Sequence, residues 1–507
     1  MSNTSIRTTA SELGGGRIAI LLLLFALALY QFYKAGFGAF AAICALPVIA
    51  IVIVVAFKYR MFMFWTLIAV NYLVSMKSIP WPPIPTSLYN EALQIMLLML
   101  AIIDVKEANF KAAANTMMVA LVIWNTFLIL ELLNDTCGLM PDFANWFPGI
   151  RLYGFQLLYI ILVFCIYVNT PERLLKYLLL WGGLAIFSVF WIWKQKYVGF
   201  TAPENAFLQG PSGKQHIIQN GTLIRYFSIY TDAAAAGIGM ASTAVAFIIF
   251  GITSSIKKYK YLFLGIGIAL TWGMFPTGTR TAVACFLAGF MAYTVLSKSI
   301  KLTVVIGSLG LLFVIFLAFT NIGNGNQMIR RMRSAFDRSD ASAGARDVNQ
   351  EAMKKYLRDA PFGVGVGMKG GCLPSNHKFA ALIAIPPDSE YVKIWIQTGA
   401  VGLSIFLITT ALMFLGASRI IMFKLTSSSL RGIGSGLCCA FAAVQLGGYG
   451  NQVLIQYPNC LTFYGGLAIV YVLPLIEKDW ITHEEKLLAV QNEKARIKAE
   501  KKKNQRV

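Results

Sequence analysis

Long apolar stretches recur along the chain, separated by short polar breaks. Stretches approaching the roughly 20 residues that cross a hydrocarbon core fall near 17–33, 36–57, 61–76, 89–103, 115–133, 151–168 and 177–196. Seven more follow near 232–254, 261–276, 281–297, 302–321, 391–417, 432–455 and 459–476. They run apolar without the alternation of a membrane barrel strand. Backbone groups in hydrocarbon must be paired within their own segment, so these stretches are helices. The pattern predicts an all-α polytopic membrane protein with about 12–14 transmembrane helices and a large loop between late helices. The lower number applies if short stretches are re-entrant or merged. No small-residue cleavage site closely follows the first stretch, which is therefore read as an uncleaved helix.

Composition agrees. Of 507 residues 57% are hydrophobic and 13% charged, about half the roughly 25% charged residues of soluble domains. This excludes a soluble enzyme, a disordered scaffold and a coiled coil. The net charge of +21 would suggest nucleic acid in a soluble chain, but in a membrane protein it sets orientation first. With the N-terminus in the cytoplasm, alternate short loops carry Lys58 and Arg60, Lys106 and Lys111, Arg173 and Lys176, Lys257 to Lys260, Lys298 and Lys301, and Arg419 to Arg431. The C-terminal tail, with nine Lys/Arg, falls on the same side. Four regions follow: an N-terminal helix bundle over 1–321, an outer loop domain over 322–390, C-terminal helices over 391–476 and a basic cytoplasmic tail over 477–507. From Ile481 onward the tail reads as a basic helix lying on anionic lipid headgroups. Of the eight cysteines, Cys137, Cys372 and Cys460 fall in outer loops, where an oxidising compartment allows two to pair. No spacing indicates a metal site.

Residues that break the orientation pattern mark candidate chemistry. The outer loop over 322–390 holds ten Lys/Arg against seven Asp/Glu, although a long loop can translocate whatever its charge. Within it, Arg346 to Ala360 predicts a helix with Val348, Ala352, Met353 and Leu357 on its apolar side, stopped by Pro361. Gly363, Gly365, Gly367, Gly370 and Gly371 then predict a tightly turning segment. It lies on the wrong side of the membrane for ATP. Arg280 sits in the outer turn Pro276-Thr277-Gly278-Thr279-Arg280-Thr281 and opens the next helix. There the helix dipole, the Thr279 and Thr281 hydroxyls and a guanidinium make an anion site, unless Arg280 simply snorkels to the interface. Arg225 lies in the other long outer loop, ahead of Thr231 and Asp232, either of which caps a small-residue helix from Ala233. Asp388, Ser389 and Glu390 precede a span. A carboxylate there suits a general base for a sugar hydroxyl, while Asp388 or Ser389 also suits an N-cap. Tyr391 and His377 complete the outer candidates. Glu91 and Glu131, within or near spans, keep open a secondary transporter or flippase.

Three patterns occur in order: Arg225 through Asp232 and Ala236; Thr279-Arg280-Thr281 opening a span; and Arg346, a helix, Pro361-Phe362-Gly363-Val364-Gly365, then a polar pair before Gly399-Ala400-Val401-Gly402-Leu403. Together they resemble the O-antigen ligase and O-antigen polymerase family of bacterial inner-membrane glycosyltransferases, over most of the chain and best from about Arg225 to Leu403. The resemblance implies transfer of a glycan from undecaprenyl diphosphate at the periplasmic face, without metal or cofactor. The acceptor would be lipid A-core in a ligase, the growing glycan in a polymerase, or a protein. Arg225 and Arg280 would bind the pyrophosphate, and Arg346 would hold the loop or the donor. Ligases of the family often carry a His-Asn pair where this chain has Asp388-Ser389. The base role then passes to Asp388, or to His377 if the loop folds back. The substrates implied are the donor, the acceptor and membrane lipids, with no nucleic acid.

Overall fold

The computed structural model describes residues 58–79, 85–103, 110–139, 142–211, 213, 218–219, 223–325, 327–333 and 341–504, with isolated positions before residue 58. The stretches 17–33 and 36–57 otherwise lie outside the described residues. Met1–Met63 and Phe64–Val507 are two compact units, and the candidate site lies wholly in the second.

The chain is an all-α polytopic membrane protein. The described helices are α1 (Arg60–Leu73), α2 (Thr86–Ile103), α3 (Thr116–Leu130), α4 (Phe143–Ile150), α5 (Gln156–Tyr167), α6 (Pro171–Tyr197), α7 (Ala202–Gln209), α8 (Ala233–Thr253), α9 (Lys257–Met274), α10 (Arg280–Ser297), α11 (Ile300–Phe319), α12 (Gln327–Arg333), α13 (Ala341–Leu357), α14 (Ala380–Ala384), α15 (Glu390–Phe423), α16 (Ser428–Gly450) and α17 (Asn459–Asn504). Among the described residues, nine helical segments are long and apolar enough to cross a membrane. The helices α1, α9 and α11 coincide with three further predicted spans. The helix α9 opens with Lys257, Lys258 and Lys260, whose charge belongs at a membrane surface. A two-residue antiparallel ribbon, β1 (Ile218–Gln219) with β2 (Leu223–Ile224), interrupts the helical architecture in the loop before Arg225.

The helix α8 sits at the centre, its small residues from Ala233 to Gly239 buried. Small residues let helix backbones approach closely in a membrane. At the α8–α16 contact a methyl group on Gly436 would meet the Phe250 ring, and one on Gly447 would meet Ile238. The described residues between 322 and 389 lie at one end of the bundle, termed the loop end; the opposite end is the tail end. At the tail end, α17 continues without interruption from the last span into the tail. Its Glu477 accepts from the amides of Thr426 (2.6 Å) and Ser427 (2.8 Å), and Ser429 donates to Glu484 (2.7 Å). Gln491 accepts from the Lys257 amide at 2.8 Å. This part of the tail is therefore fastened to the connections between helices.

The loop has a core of its own, in which Met353, Leu357, Val364, Phe379 and Leu382 pack against Ile396 of α15. The prediction for α13 holds for Met353 and Leu357 but not for Val348, which is exposed. At about 100° per residue, Val348 lies across the helix from Met353. The predicted glycine turn is confirmed by positive φ at Gly363, Gly365, Gly367 and Gly371. It packs against a break in α15, where Gly399 takes φ 64° and ψ −169°. The carbonyls of Ile396 and Gln397 accept from the amides of Val364 (2.9 Å) and Gly365 (3.0 Å), and the Val401 amide donates to Pro361 (3.2 Å). No disulfide joins the three cysteines assigned to outer loops, and Cys460 lies buried in α17 instead of in a loop. Cys137, Cys372 and Cys460 are free thiols, with Cys137 donating to the Val364 carbonyl, Cys372 to Asn145, and Cys460 accepting from Gln156. Burial pushes the Cys137 thiol up to about 11, with Asp135 and Asp142 adding to the shift.

The backbone at Gly399 is one that almost only glycine adopts, and strain there costs about 1–3 kcal/mol. A methyl group would also run into the Pro361 carbonyl. Gly399→Ala should lower the thermal unfolding midpoint of the detergent-purified protein by several degrees. An unchanged midpoint would mean that the break is not required.

Candidate functional site

The site is built around the turn between α9 and α10. A 3-10 turn over Phe275–Thr277 leads into Gly278, whose left-handed φ of 59° reverses the chain, and α10 starts at Arg280. Arg225 reaches this turn from the preceding long loop. Its Nε donates to the Thr277 carbonyl at 3.1 Å and its Nη2 to Thr279 Oγ1 at 2.9 Å. Arg331 of α12 arrives from the other side, its Nε donating to the Gly278 carbonyl. A methyl group on Gly278 would come within 3.2 Å of Arg331 Cδ and 3.5 Å of Arg225 Cγ. The turn is therefore held between two arginine side chains, with Arg280 at its exit.

Positive charge is concentrated here at some cost. Burial lowers the pKa of Arg225; Asp232 opposes the shift and the Arg280 charge adds to it. Lys77 is lowered by burial as well, again opposed by Asp232. Asp232 is the N-cap of α8, its Oδ1 accepting from the Ala234 and Ala235 amides at 2.7 and 2.8 Å. Thr231 instead donates to Gln456, which decides between the two predicted caps. One carboxylate thus faces several cations, an arrangement suited to a polyanion.

The threonines serve the turn itself. Thr279 is buried, donating to the Ala233 carbonyl at 2.8 Å while accepting from Arg225. Thr281 Oγ1 accepts from Asn451 at 3.2 Å. Both hydroxyl oxygens are thus engaged in positioning Arg225 and the start of α10.

The connection between α16 and α17, which sequence reasoning passed over, joins the remaining candidates. Arg346 Nη2 donates to the Gly450 carbonyl at 3.0 Å, and Ser389 Oγ to the Gly448 carbonyl at 3.0 Å. Gln452 donates to the Pro387 carbonyl, and the Leu454 amide to Glu390 at 3.2 Å. Glu390 is fully buried and also accepts from Tyr153 at 2.9 Å. The polar pair 388–389 therefore divides. Ser389 occupies the N-cap position of α15 without capping it, while Asp388 is exposed and bonds no described residue. Tyr391 donates to the Gln445 carbonyl at 3.0 Å. His377 is placed in the loop's own fold, its Nδ1 accepting from the Phe379 amide at 3.2 Å. No described contact brings it to the arginine turn. Glu91 pairs with Arg151 at 3.2 Å, and Glu131 accepts from Asn134 at 2.9 Å.

Below the turn an apolar groove of about 500 Å³ runs between α9, α10 and α11, from Phe275 and Val283 to Met291 and Ile306. The protein is thus a multi-pass membrane protein in which a turn held by arginine side chains stands beside an apolar groove. Residues 265–407 match the family model described as O-Antigen ligase. That span contains the Arg280 turn, Arg346, the glycine turn and Asp388, while Arg225 lies outside it and is joined to it by the contacts above. The similarity supports a ligase-like or polymerase-like glycosyl-transferring enzyme at this level of description. Comparison with curated proteins returns no match.

A support network sits behind Arg225. Glu204 of α7 accepts from Trp191 (2.8 Å), Lys194 (3.3 Å) and Gln195 (2.8 Å), and Gln195 accepts from the Ser228 amide at 2.9 Å. Burial alone would raise the Glu204 pKa, but the Thr201 amide and these donors outweigh it and hold the carboxyl below its ordinary value. Stability from this depressed carboxyl is present above the unfolded-state pKa of about 4.3 and lost as pH falls through the lower native value. Glu204→Gln should therefore destabilise the protein at pH 7, by about 2 kcal/mol. The deficit relative to wild type should shrink on acidification below the carboxylate range. A deficit independent of pH, followed by thermal unfolding, would show that the charge of Glu204 is not what matters.

Proposed function

We propose that the protein is a glycosyltransferase that moves a glycan from undecaprenyl diphosphate to a sugar hydroxyl at the periplasmic face of the bacterial cytoplasmic membrane. The observation that carries this reading is the meeting of Arg225, Arg280 and Arg331 around the Gly278 turn, directly above an apolar groove. The diphosphate lies among the guanidinium groups and the polyprenyl chain in the groove. The charge asymmetry of the short loops supports placing the loop end in the periplasm and the tail end in the cytoplasm.

In the reaction, Asp388 accepts the proton of the acceptor hydroxyl. The acceptor oxygen attacks the anomeric carbon opposite the diphosphate and forms the new glycosidic bond. The bond from the anomeric carbon to the phosphate oxygen breaks, and its electron pair leaves on undecaprenyl diphosphate. The arginines stabilise that developing charge, and direct displacement inverts the anomeric centre. No metal or cofactor takes part in this scheme. Arg346, tied to Gly450, holds α13 against the site. The preferred acceptor is lipid A-core. The growing glycan is the second reading, favoured by Asp388-Ser389 standing where ligases often have His-Asn. The pairing of Glu91 with Arg151 and the bond between Asn134 and Glu131 give those carboxylates structural duties, which removes support from a transporter.

Arg280→Ala should reduce transfer by at least about 100-fold with membrane levels unchanged; full activity would overturn the diphosphate site. Asp388→Asn should cost about 10²–10⁴-fold, and wild-type turnover would remove the base. In a deletion strain, long glycan left on undecaprenyl diphosphate beside bare lipid A-core identifies a ligase. Single repeat units on lipid A-core identify a polymerase. Intermediates confined to the cytoplasmic face would identify transport and refute the proposal.

A further inference from the structure

A second cavity opens on the other side of the α16–α17 connection. It has a volume of about 410 Å³, within the roughly 300–1,000 Å³ range of ligand pockets. Its walls come from the α4–α5 junction at Leu152 and Tyr153, the glycine turn at Gly367 to Gly370, the strand-like approach to Asp388 at Ile385 and Pro387, and the first half of α15. The position relative to the arginine turn is set by two adjacent residues. Asn451 bonds Thr281 of the arginine turn, whereas Gln452 lines the cavity and bonds Pro387, the neighbour of Asp388. The arginine turn and the cavity therefore flank one short segment, with Asp388 beside it.

The lining is selective in charge. Lys369 and Lys393 are its charged residues, and no carboxylate lines it. Neither lysine forms an ion pair with a described residue. Lys393 lies over the Tyr153 ring, 5.5 Å from its centre, and its charge acts on Glu390 without a direct bond. Glu390 itself is occupied by Tyr153 and the Leu454 amide. Apolar surface from Leu152, Ile383, Ile385 and Ile396 faces the same space. Apolar walls suit the C–H faces of sugar rings, and two cations without ion-pair partners suit an acidic substituent.

We infer that this cavity binds the acceptor of the proposed transfer, and that the acceptor terminus carries a phosphate or carboxylate group held by Lys369 and Lys393. The inference rests on the proposed function for the identity of the partner substrate. Both an acidic core oligosaccharide and an acidic repeat unit supply this chemistry.

The test uses the full-length protein in nanodiscs and three probes: a trisaccharide bearing one phosphate monoester, a uronate-terminated trisaccharide and their neutral counterpart. At least one acidic probe should bind about tenfold or more tightly than the neutral one, the worth of about one charge-assisted contact. Preference for the phosphate probe points to a phosphorylated core, and preference for the uronate to an acidic repeat. The preference should fall in Lys369→Gln, which alters an exposed residue, and vanish when Lys393→Gln is added. It should persist in Lys378→Gln, a lysine of the same loop that pairs with Asp359 at 2.7 Å. Equal binding of all probes, no binding, or a preference surviving the double substitution would overturn the inference. Undecaprenyl diphosphate binding, measured in parallel, should be unchanged by the lysine substitutions, and its loss would assign them to the donor side instead. Failure of wild-type protein to bind undecaprenyl diphosphate in an Arg280-dependent way would refute the donor reading, separately from the sugar-binding result.

Discussion

A helix that ends leaves carbonyl groups without intrahelical partners, and beside a bilayer water is a poor substitute. The end of α16 meets this requirement with side chains from elsewhere. Ser389 takes the Gly448 carbonyl and Arg346 the Gly450 carbonyl, the latter at the negative end of the helix dipole, where a cation is favoured. Because Arg346 belongs to α13 and Ser389 to the start of α15, satisfying one helix end fixes two others. The next residues continue the pattern through Asn451, Gln452, Leu454 and Gln456, which reach Thr281, Pro387, Glu390 and Thr231. Segments far apart in the chain are thereby gathered around one short connection.

The same constraint explains the glycine turn. Breaking α15 at Gly399 frees carbonyls at Ile396 and Gln397, and the amides of Val364 and Gly365 occupy them. Side chains would keep the two backbones apart: a methyl group on Gly363 would strike the backbone of Gln397 to Gly399. Positive φ and close approach are required together at these positions. The loop and the helix are consequently one unit, and Asp388 is carried on the part that this unit holds.

Most helices were legible because a span must be apolar over its full length, a signal that tolerates errors of a few residues at each end. The Gly278 turn and the glycine run were legible for a similar reason, since the residue type reports a backbone state directly. The face of α13 was less so. Val348 is apolar yet exposed, and with so few large apolar residues along a mostly polar helix the sequence did not fix which of them face inward. Arg331 and the residues from Gly448 to Gln456 gave no signal of their own. Their role comes from where their partners lie, more than 50 residues away for Arg331 and Gly278, and one sequence does not record such distances. The cysteines illustrate the converse: assignment to outer loops was wrong for Cys460, which lies in α17, and said nothing about whether two thiols meet.

The groove beneath the arginine turn has a further consequence for how the proposed donor reaches its site. Its wall includes Met291, Leu309 and Leu311, apolar side chains more than half exposed, which in a bilayer face the acyl chains. A lipid enters such a groove sideways, so encounter frequency depends on the number of donor molecules per unit area of membrane. Diluting a vesicle suspension with buffer leaves that density untouched, whereas diluting the donor with inert lipid lowers it. Supply and turnover are in this sense governed in two dimensions, and concentration per volume is the wrong variable for describing them.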